Sequence, residues 1–221
     1  MEKFLFVTQE NHDAYFNLAS EEYLLKVKGG YYIYLWRNAP AVIIGVNQNA
    51  VSEVNLGYTE EHGIKVVRRM TGGGAVYHDL FNINYTVIAP YDETADNYKK
   101  FTAPVIEYLN SLGVKAEFSG RNDILLYGKK ISGCAQRQSG GRTLTHGTLL
   151  FRRDAEKMQA YLSPPAEKLL RHGVASVRSR TGELAPYLPQ FRETEDFMAA
   201  LALFLQGKII DSAGKNGYHI E

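Results

Sequence analysis

Cysteine is almost missing from this chain: Cys134 is the only one in 221 residues. A single thiol excludes an internal disulfide and removes the usual ligands of a cysteine-cluster metal centre. It suits a reducing, cytosolic setting. The six histidines do not fall into a zinc-binding spacing either. Neither sign of charge is in excess, with 25 Lys and Arg against 24 Asp and Glu. Nucleic acid and membrane surfaces are therefore not expected partners, since both call for a basic surplus, and any basic patch must be local. Long apolar runs are also absent. Residues Met1 to Val7 carry no signal-peptide core and no transit pattern, so the expected location is cytoplasmic.

What is present suits one large domain. An apolar fraction of 45% allows a sizeable core. Residues 4–7, 31–37, 41–46, 64–69, 75–78, 82–89, 116–118, 123–127 and 143–151 read as strands. The turn Asn38-Ala39-Pro40 joins 31–37 to 41–46 as an expected hairpin. A helix is expected over about 14–28, capped within Asn11 to Asp13 and ended by Gly29-Gly30. Others are expected over 51–62, stopped by Gly63, and 95–112, with Phe101, Val105, Tyr108, Leu109 and Leu112 on one stripe. After 151 the pattern turns helical, at 154–162, 166–170 and 195–205, punctuated by Pro164-Pro165 and Pro186. The expected fold is α+β, a mixed, largely antiparallel β-sheet flanked by helices. It forms a single domain over 1–221, with a sheet core at about 1–151, a helical part at about 152–206 and a loosely held tail at 207–221.

One stretch stands out: Arg68-Arg69-Met70-Thr71-Gly72-Gly73-Gly74-Ala75-Val76-Tyr77-His78-Asp79. Consecutive glycines surrender backbone entropy and offer no packing in return. A backbone that passes close to a ligand, with N–H groups aimed at an anion, is one explanation. Arg68 and Arg69 add charge suited to phosphate or carboxylate. A flexible basic hairpin turn is the other explanation.

A second stretch runs from Ser119 to Gly133. Polar residues lead into an apolar strand, a tight turn at Gly128-Lys129, and a return through Lys130-Ile131-Ser132-Gly133. A tight hairpin places Asp123 and Lys130 at the same end of paired strands. Asp123 can hold Mg²⁺ together with phosphate oxygens. Lys130 can neutralise an α-phosphate or the carboxylate attacking it. A solvated turn is the bland alternative, and it is preferred for Lys129. Thr145-His146-Gly147-Thr148-Leu149-Leu150 offers a ligand a hydroxyl or an N–H, or is a strand start with a satisfied histidine. His78 reads equally as a cap or core histidine, and His62 and His172 sit before glycines at helix ends. Cys134 is either a small buried residue or a nucleophile activated by Lys130, Arg137 and nearby histidines.

These segments occur in order, followed by Ser176-Val177-Arg178-Ser179-Arg180 and preceded by Asn17-Leu18-Ala19-x-Glu21-Glu22 and Leu35-Trp36-Arg37-Asn38. Over about residues 4–190 the chain resembles bacterial lipoate-protein ligase A, of the biotin and lipoate ligase superfamily. The resemblance implies a class II biotin/lipoyl synthetase-like fold and a two-step reaction. Lipoate and Mg-ATP give lipoyl-adenylate and pyrophosphate. The lipoyl group then passes to one lysine of a carrier domain, in an E2 subunit of a 2-oxo-acid dehydrogenase or in the glycine-cleavage H protein. ATP and Mg²⁺ are the implied cofactors.

By the same resemblance Lys130 is the catalytic lysine, meeting both the lipoate carboxylate and the adenylate phosphate. Arg69 with Gly72, Gly73 and Gly74 forms a wall of the lipoyl and nucleotide site. Ala75, Val76 and Tyr77 meet the adenine. Asn122 and Asp123 form the phosphate and Mg²⁺ end, and His78 and Thr148 lie near the lipoate pocket. An apolar slot lined by Trp36, Val42, Ile44 and Val76 would hold the dithiolane chain.

Two features depart from the family. Cys134 stands where a serine is common. Related octanoyl- and lipoyl-transferases use a cysteine and no ATP, at another place in the chain, whereas Arg121-Asn122-Asp123 favours the ATP-using ligase. Many ligases also carry a C-terminal accessory domain of roughly a hundred residues, for which this chain has no room. A catalytic domain alone, or half of a two-piece ligase with a separate accessory chain, is expected. The rival readings are a cysteine-dependent octanoyl or lipoyl transferase and a non-catalytic lipoate-binding module.

Overall fold

Aromatic and β-branched residues dominate residues 31–36 and 82–90, and these stretches pair at the centre of the molecule. A computed structural model of the chain describes residues 4–27, 29–94, 96–120, 122–162, 181–213 and 218–219. The strands are β1 (Phe4–Thr8), β2 (Tyr31–Trp36), β3 (Ala41–Ile44), β4 (Lys65–Arg68), β5 (Val76–His78) and β6 (Asn82–Pro90). They continue with β7 (Ala116–Ser119), β8 (Asp123–Leu126), β9 (Lys129–Ser139), β10 (Arg142–Leu150) and β11 (Tyr218–His219). The helices are α1 (Ala14–Lys26), α2 (Ala50–Glu53), α3 (Leu56–Glu61), α4 (Asn97–Ser111), α5 (Ala155–Tyr161) and α6 (Thr194–Ala213).

Eight strands form the main sheet in the order β11-β1-β2-β6-β10-β9-β8-β7. β1 runs parallel to both of its neighbours; from β2 onward every pairing is antiparallel. A small sheet, β4-β3-β5, lies apart from it. The mixed, largely antiparallel α+β architecture is the one expected.

The two faces of the main sheet do different work, because side chains alternate across a strand. On β2, Leu35 joins the large core built with α4 and α6, where Leu109, Phe151, Phe197 and Leu201 are fully buried. Its neighbours Tyr34 and Trp36 face the other way, toward Ala14 and Leu18 of α1 and Ile43 and Val67 of the small sheet. The candidate site lies on this second side.

Several local expectations need correction. Residues 31–37 and 41–46 do not form a hairpin. Both edges of β2 are taken, by β1 and β6, so β3 pairs with β4 and β5 instead. The single helix expected over 51–62 is two. Val54 closes α2, and Asn55 caps α3 by accepting from the Tyr58 N–H at 3.3 Å. The tight turn before Lys130 is Tyr127-Gly128, with φ of 49° and 77°, so β9 already begins at Lys129 and runs on to Ser139. Positive φ at two successive positions is what a two-residue turn needs to match strand twist. α1 ends at Lys26, ahead of Gly29-Gly30, with Asp13 as its cap. Regular elements reach into the stretch expected as a tail. α6 continues to Ala213, and Tyr218–His219 pairs with β1. Residues 166–170 and Pro164-Pro165 lie outside the described residues. Among the described residues no helix is long and apolar enough to cross a membrane.

Phe197 anchors the large core. It is fully buried, stacks on Phe151 at 5.0 Å and meets Phe191 edge-on at 5.3 Å. Phe197→Ala is expected to cost about 3–5 kcal/mol. In urea titration the midpoint falls while the slope is unchanged.

Candidate active site

β4 delivers Arg69 into a bend that passes through the glycines and re-enters the small sheet at β5. Arg69 is buried and its guanidinium turns inward. Nη2 donates to the carbonyls of Gly72 at 2.7 Å and Gly74 at 2.8 Å, and Nη1 to Ile43 at 3.2 Å. Nε donates to Thr71 Oγ1 at 3.0 Å and is shared with the Gly72 carbonyl. Burial, partly offset by Glu21, pulls its pKa down to about 10, so it stays charged at neutral pH. Arg68 likewise donates to the carbonyls of Gly45, Val46 and Gln48. The arginine pair expected to face an anion is thus committed to shaping the loop. Gly73 sits at φ +96°, and a Cβ on Gly45 would stand 2.2 Å from the Gly73 carbonyl oxygen. The bend and the end of β3 touch backbone to backbone.

The bend is also tied to the main sheet. Thr71 Oγ1 lies 2.8 Å from His146 Nε2, and His146 Nδ1 lies 2.9 Å from Glu21 Oε1. Glu21 is 1% exposed and also takes the hydroxyl of Thr86. Asn17, Leu18 and Glu21 therefore turn one face of α1 toward the site. The only hint in the sequence is a glutamate on the apolar stripe of a helix.

Opposite the bend, the hairpin β8–β9 presents Lys130. Its pairing shifts between Ile124 and Leu125: Ile124 faces Ser132, while Leu125 faces Lys130. β9 therefore holds one extra residue, Ile131. Such a bulge re-aims a side chain, and here it puts Lys130 on the same face as Gly133, while Ile131 enters the large core. The Lys130 side chain lies back over Gly133, where a Cβ would meet Nζ at 2.7 Å. Nζ pairs with Asp123 Oδ1 at 2.7 Å. Asn122 fixes this end, its Nδ2 donating to the Cys134 carbonyl at 2.6 Å.

Between bend and hairpin lies one cavity of about 230 Å³. Trp36, Arg69, Gly73, Gly74, Ala75, Val76, His78, Asn122, Lys130 and Thr148 all line it. Asp123 reaches it through its pair with Lys130. Gly72 turns its carbonyl to Arg69 instead. The Tyr77 ring points away, stacked on Tyr161 at 5.2 Å. The apolar lining is Leu18, Trp36, Ile43 and Val76. Val42 and Ile44, expected here, face the opposite side of β3 with Val54 and Tyr77, because alternate residues of a strand diverge. Cys134 turns its thiol into the large core, 3.0 Å from the Tyr85 hydroxyl. Burial above all raises its pKa, so although Cys134 borders the cavity, its side chain is a protonated thiol turned into the core. Arg121 and residues 176–180 lie outside the described residues. Among the described residues no three His, Cys, Asp or Glu gather as a metal cluster.

His78 is a satisfied pocket histidine. Nδ1 lies 3.1 Å from Asn38 Nδ2 and Nε2 3.0 Å from Thr148 Oγ1. Burial above all, then the charges of Arg69 and His146, pushes its pKa down to about 3. In the unfolded chain an imidazole titrates near 6.5. Between these values the unfolded state binds a proton that the folded state refuses, so stability is full above about 6.5 and falls with the pH toward about 3. Asp79, whose pKa burial raises, opposes this in part. The urea midpoint is expected to drop from pH 6.5 to pH 4, and His78→Gln to flatten that slope.

The profile described as "Lipoyl protein ligase A/B catalytic domain" matches residues 13–206. The lipoate-protein ligase LplJ of Bacillus subtilis is 45% identical over 201 residues, 89% of this chain and 61% of that protein. The chain thus spans about three fifths of the length of that curated relative. Two solved structures superpose along the whole chain. One is a bipartite lipoate protein ligase studied with its E2 lipoyl domain, from Thermoplasma acidophilum, with a TM-score of 0.81 and 25% identity over 87% of that chain. The other is a lipoate-protein ligase A bound with ATP, with a TM-score of 0.79 and 25% identity over 90% of that chain.

Proposed function

The chain belongs to the lipoyl protein ligase A/B catalytic-domain family, and from that premise we propose that it activates lipoate with ATP and transfers the lipoyl group to a carrier lysine. One observation carries this reading: the glycine bend and the Lys130 amine line a single cavity. At about 230 Å³ that cavity is below the roughly 300–1,000 Å³ of pockets that enclose a drug-sized ligand. It has room for an acyl chain, not for an acyl chain and a nucleotide. The acyl chain enters between Leu18, Trp36 and Ile43, and the nucleotide lies across the mouth, where Val76 is 37% exposed.

The chemistry follows from charge. A lipoate carboxylate oxygen attacks the α-phosphorus, the bond to the β-phosphate oxygen breaks, and pyrophosphate leaves. Two anions meet in that step, and Lys130 offsets their repulsion. Asp123, a half-shielded carboxylate beside Asn122, suits a Mg²⁺ that keeps most of its oxygen ligands from phosphate and water. Such an ion would neutralise charge on the leaving pyrophosphate. In the second step the neutral carrier amine attacks the acyl carbonyl and a C–N bond forms; the C–O bond to the phosphate breaks, AMP leaves with its electron pair, and the nitrogen gives up a proton to water. The anhydride must be kept from water between the steps, and the Trp36, Leu18 and Ile43 wall serves that end. The partners are carrier domains of the E2 or H-protein type. A cysteine-dependent transferase is disfavoured by the direction and protonation of Cys134.

Lys130→Ala is expected to abolish ATP-dependent labelling of a carrier lysine, a loss of at least about 10²-fold. A mass assay of a purified lipoyl domain with lipoate, Mg-ATP and, in parallel, pre-made lipoyl-adenylate separates activation from transfer. Labelling at near the parent rate in Lys130→Ala would remove that lysine from the mechanism. Cys134→Ser is expected to retain activity.

A further inference from the structure

Asn17 of α1 sets the direction of a hydrogen-bond chain that ends inside the cavity. One atom of its amide lies 2.8 Å from the Asn11 carbonyl and 3.2 Å from the Arg37 carbonyl. Carbonyls only accept, so that atom is the nitrogen, and the amide oxygen receives the Tyr34 hydroxyl at 2.8 Å. The Asn38 atom 3.0 Å from Asn17 Nδ2 must then be an oxygen. Asn38 Nδ2 therefore donates to His78 Nδ1 at 3.1 Å. A buried neutral imidazole carries one N–H, which is left to Nε2, and it donates to Thr148 Oγ1 at 3.0 Å. Thr148 passes its own hydrogen to Asn84 Oδ1 at 2.7 Å.

The chain of donors ends on Asn84 Nδ2. Asn84 is 1% exposed and lines the cavity, yet its Nδ2 has no acceptor among the described residues. A desolvated N–H without an acceptor is costly, and an acceptor on a bound ligand would remove that cost. The cavity wall thus contains a buried donor left unmatched among the described residues.

Register shows what the donor faces. Trp36, Asn84, Thr148, Gly133 and Asp123 form one row across the sheet, and Lys130 Nζ stands over Gly133. Asn84 and Lys130 therefore flank the short Thr148 side chain from opposite sides, with about 10 Å between the backbones of Asn84 and Gly133 at two strand spacings. A fatty acyl substrate has strong acceptors only at its carboxyl end.

We propose that Asn84 Nδ2 donates a hydrogen bond to an oxygen of the acyl substrate's carboxyl group, across the cavity from Lys130. This rests on the acyl-ligase reading above and adds a neutral, directional contact to the charged one. The pair would hold the carboxyl in one orientation, where an ammonium alone fixes only its distance.

Asn84→Asp keeps the oxygen that Thr148 needs and removes the donor, and because it also adds a negative charge, Asn84→Ala serves as its uncharged control. Isothermal titration of the full chain with lipoate is expected to show at least a tenfold loss of affinity in Asn84→Asp and in Asn84→Ala, with melting temperatures that confirm folding. In ¹⁵N-labelled protein the Asn84 side-chain amide, assigned by its loss in Asn84→Asp, is expected to move when lipoate is added and to stay when AMP is added. An unmoved amide at saturating lipoate, a shift with AMP alone, or parent affinity in Asn84→Asp overturns the assignment. A chain that shifts the amide with lipoate but labels no carrier domain keeps Asn84 and loses the ligase reading. Carrier labelling with an unmoved amide does the reverse, and a chain that binds no lipoate loses both.

Discussion

Arg69 holds the glycine bend in one shape, and the site exists because of it. A run of glycines has little conformational preference, and fixing each residue costs about 1–2 kcal/mol of backbone entropy. Hydrogen bonds from a charged donor contribute about 1.5–3 kcal/mol each, and Arg69 gives such bonds to Ile43, Thr71, Gly72 and Gly74. The two terms are of similar size, so the loop is ordered without packing of its own. A buried cation needs a counter-charge, and Glu21 supplies it through His146 and Thr71. A carboxylate on α1 thus bears on the shape of a loop in the small sheet.

The site divides its labour between two kinds of wall. The sheet side, made by β6, β10 and β9, is polar and carries Asn84, Thr148 and Lys130 with the hydrogen bonds between their neighbours already made. The opposing side, from α1 and β3, contributes Leu18 and Ile43 with no polar group to satisfy. A substrate with a charged head and an apolar tail matches that arrangement. The buried polar groups also keep water's competition low, since those that have partners do not call for more.

The glycine triad and Lys130 were legible in the sequence because their residue types have few other uses at such positions. A lysine at the second residue of a strand and consecutive glycines are hard to explain as packing. The pairing of β3 was not legible, because alternation reveals that a strand exists and says nothing of which edge is free. The same limit explains Val42 and Ile44: the side of a strand that meets the site depends on a register fixed elsewhere. Arg69 was expected at the wall of the site and does line the cavity; that its guanidinium also holds its own loop was not legible, because charge type alone does not tell which way such a group turns. Asn84 carried no signal, and Asn38 and Glu21 entered only as members of longer motifs, since a polar residue gains its role from the buried partners that tertiary structure brings to it.

The extra residue at Ile131 makes the direction of the lysine a matter of counting. Were β9 regular, the three steps from Gly133 back to Lys130 would deliver the amine to the helix-covered face, and the bulge removes one of those steps. A residue added to β8 opposite Ile131 would close the bulge and turn the amine away from the cavity, whereas loss of Ile131 itself would leave the amine where it is.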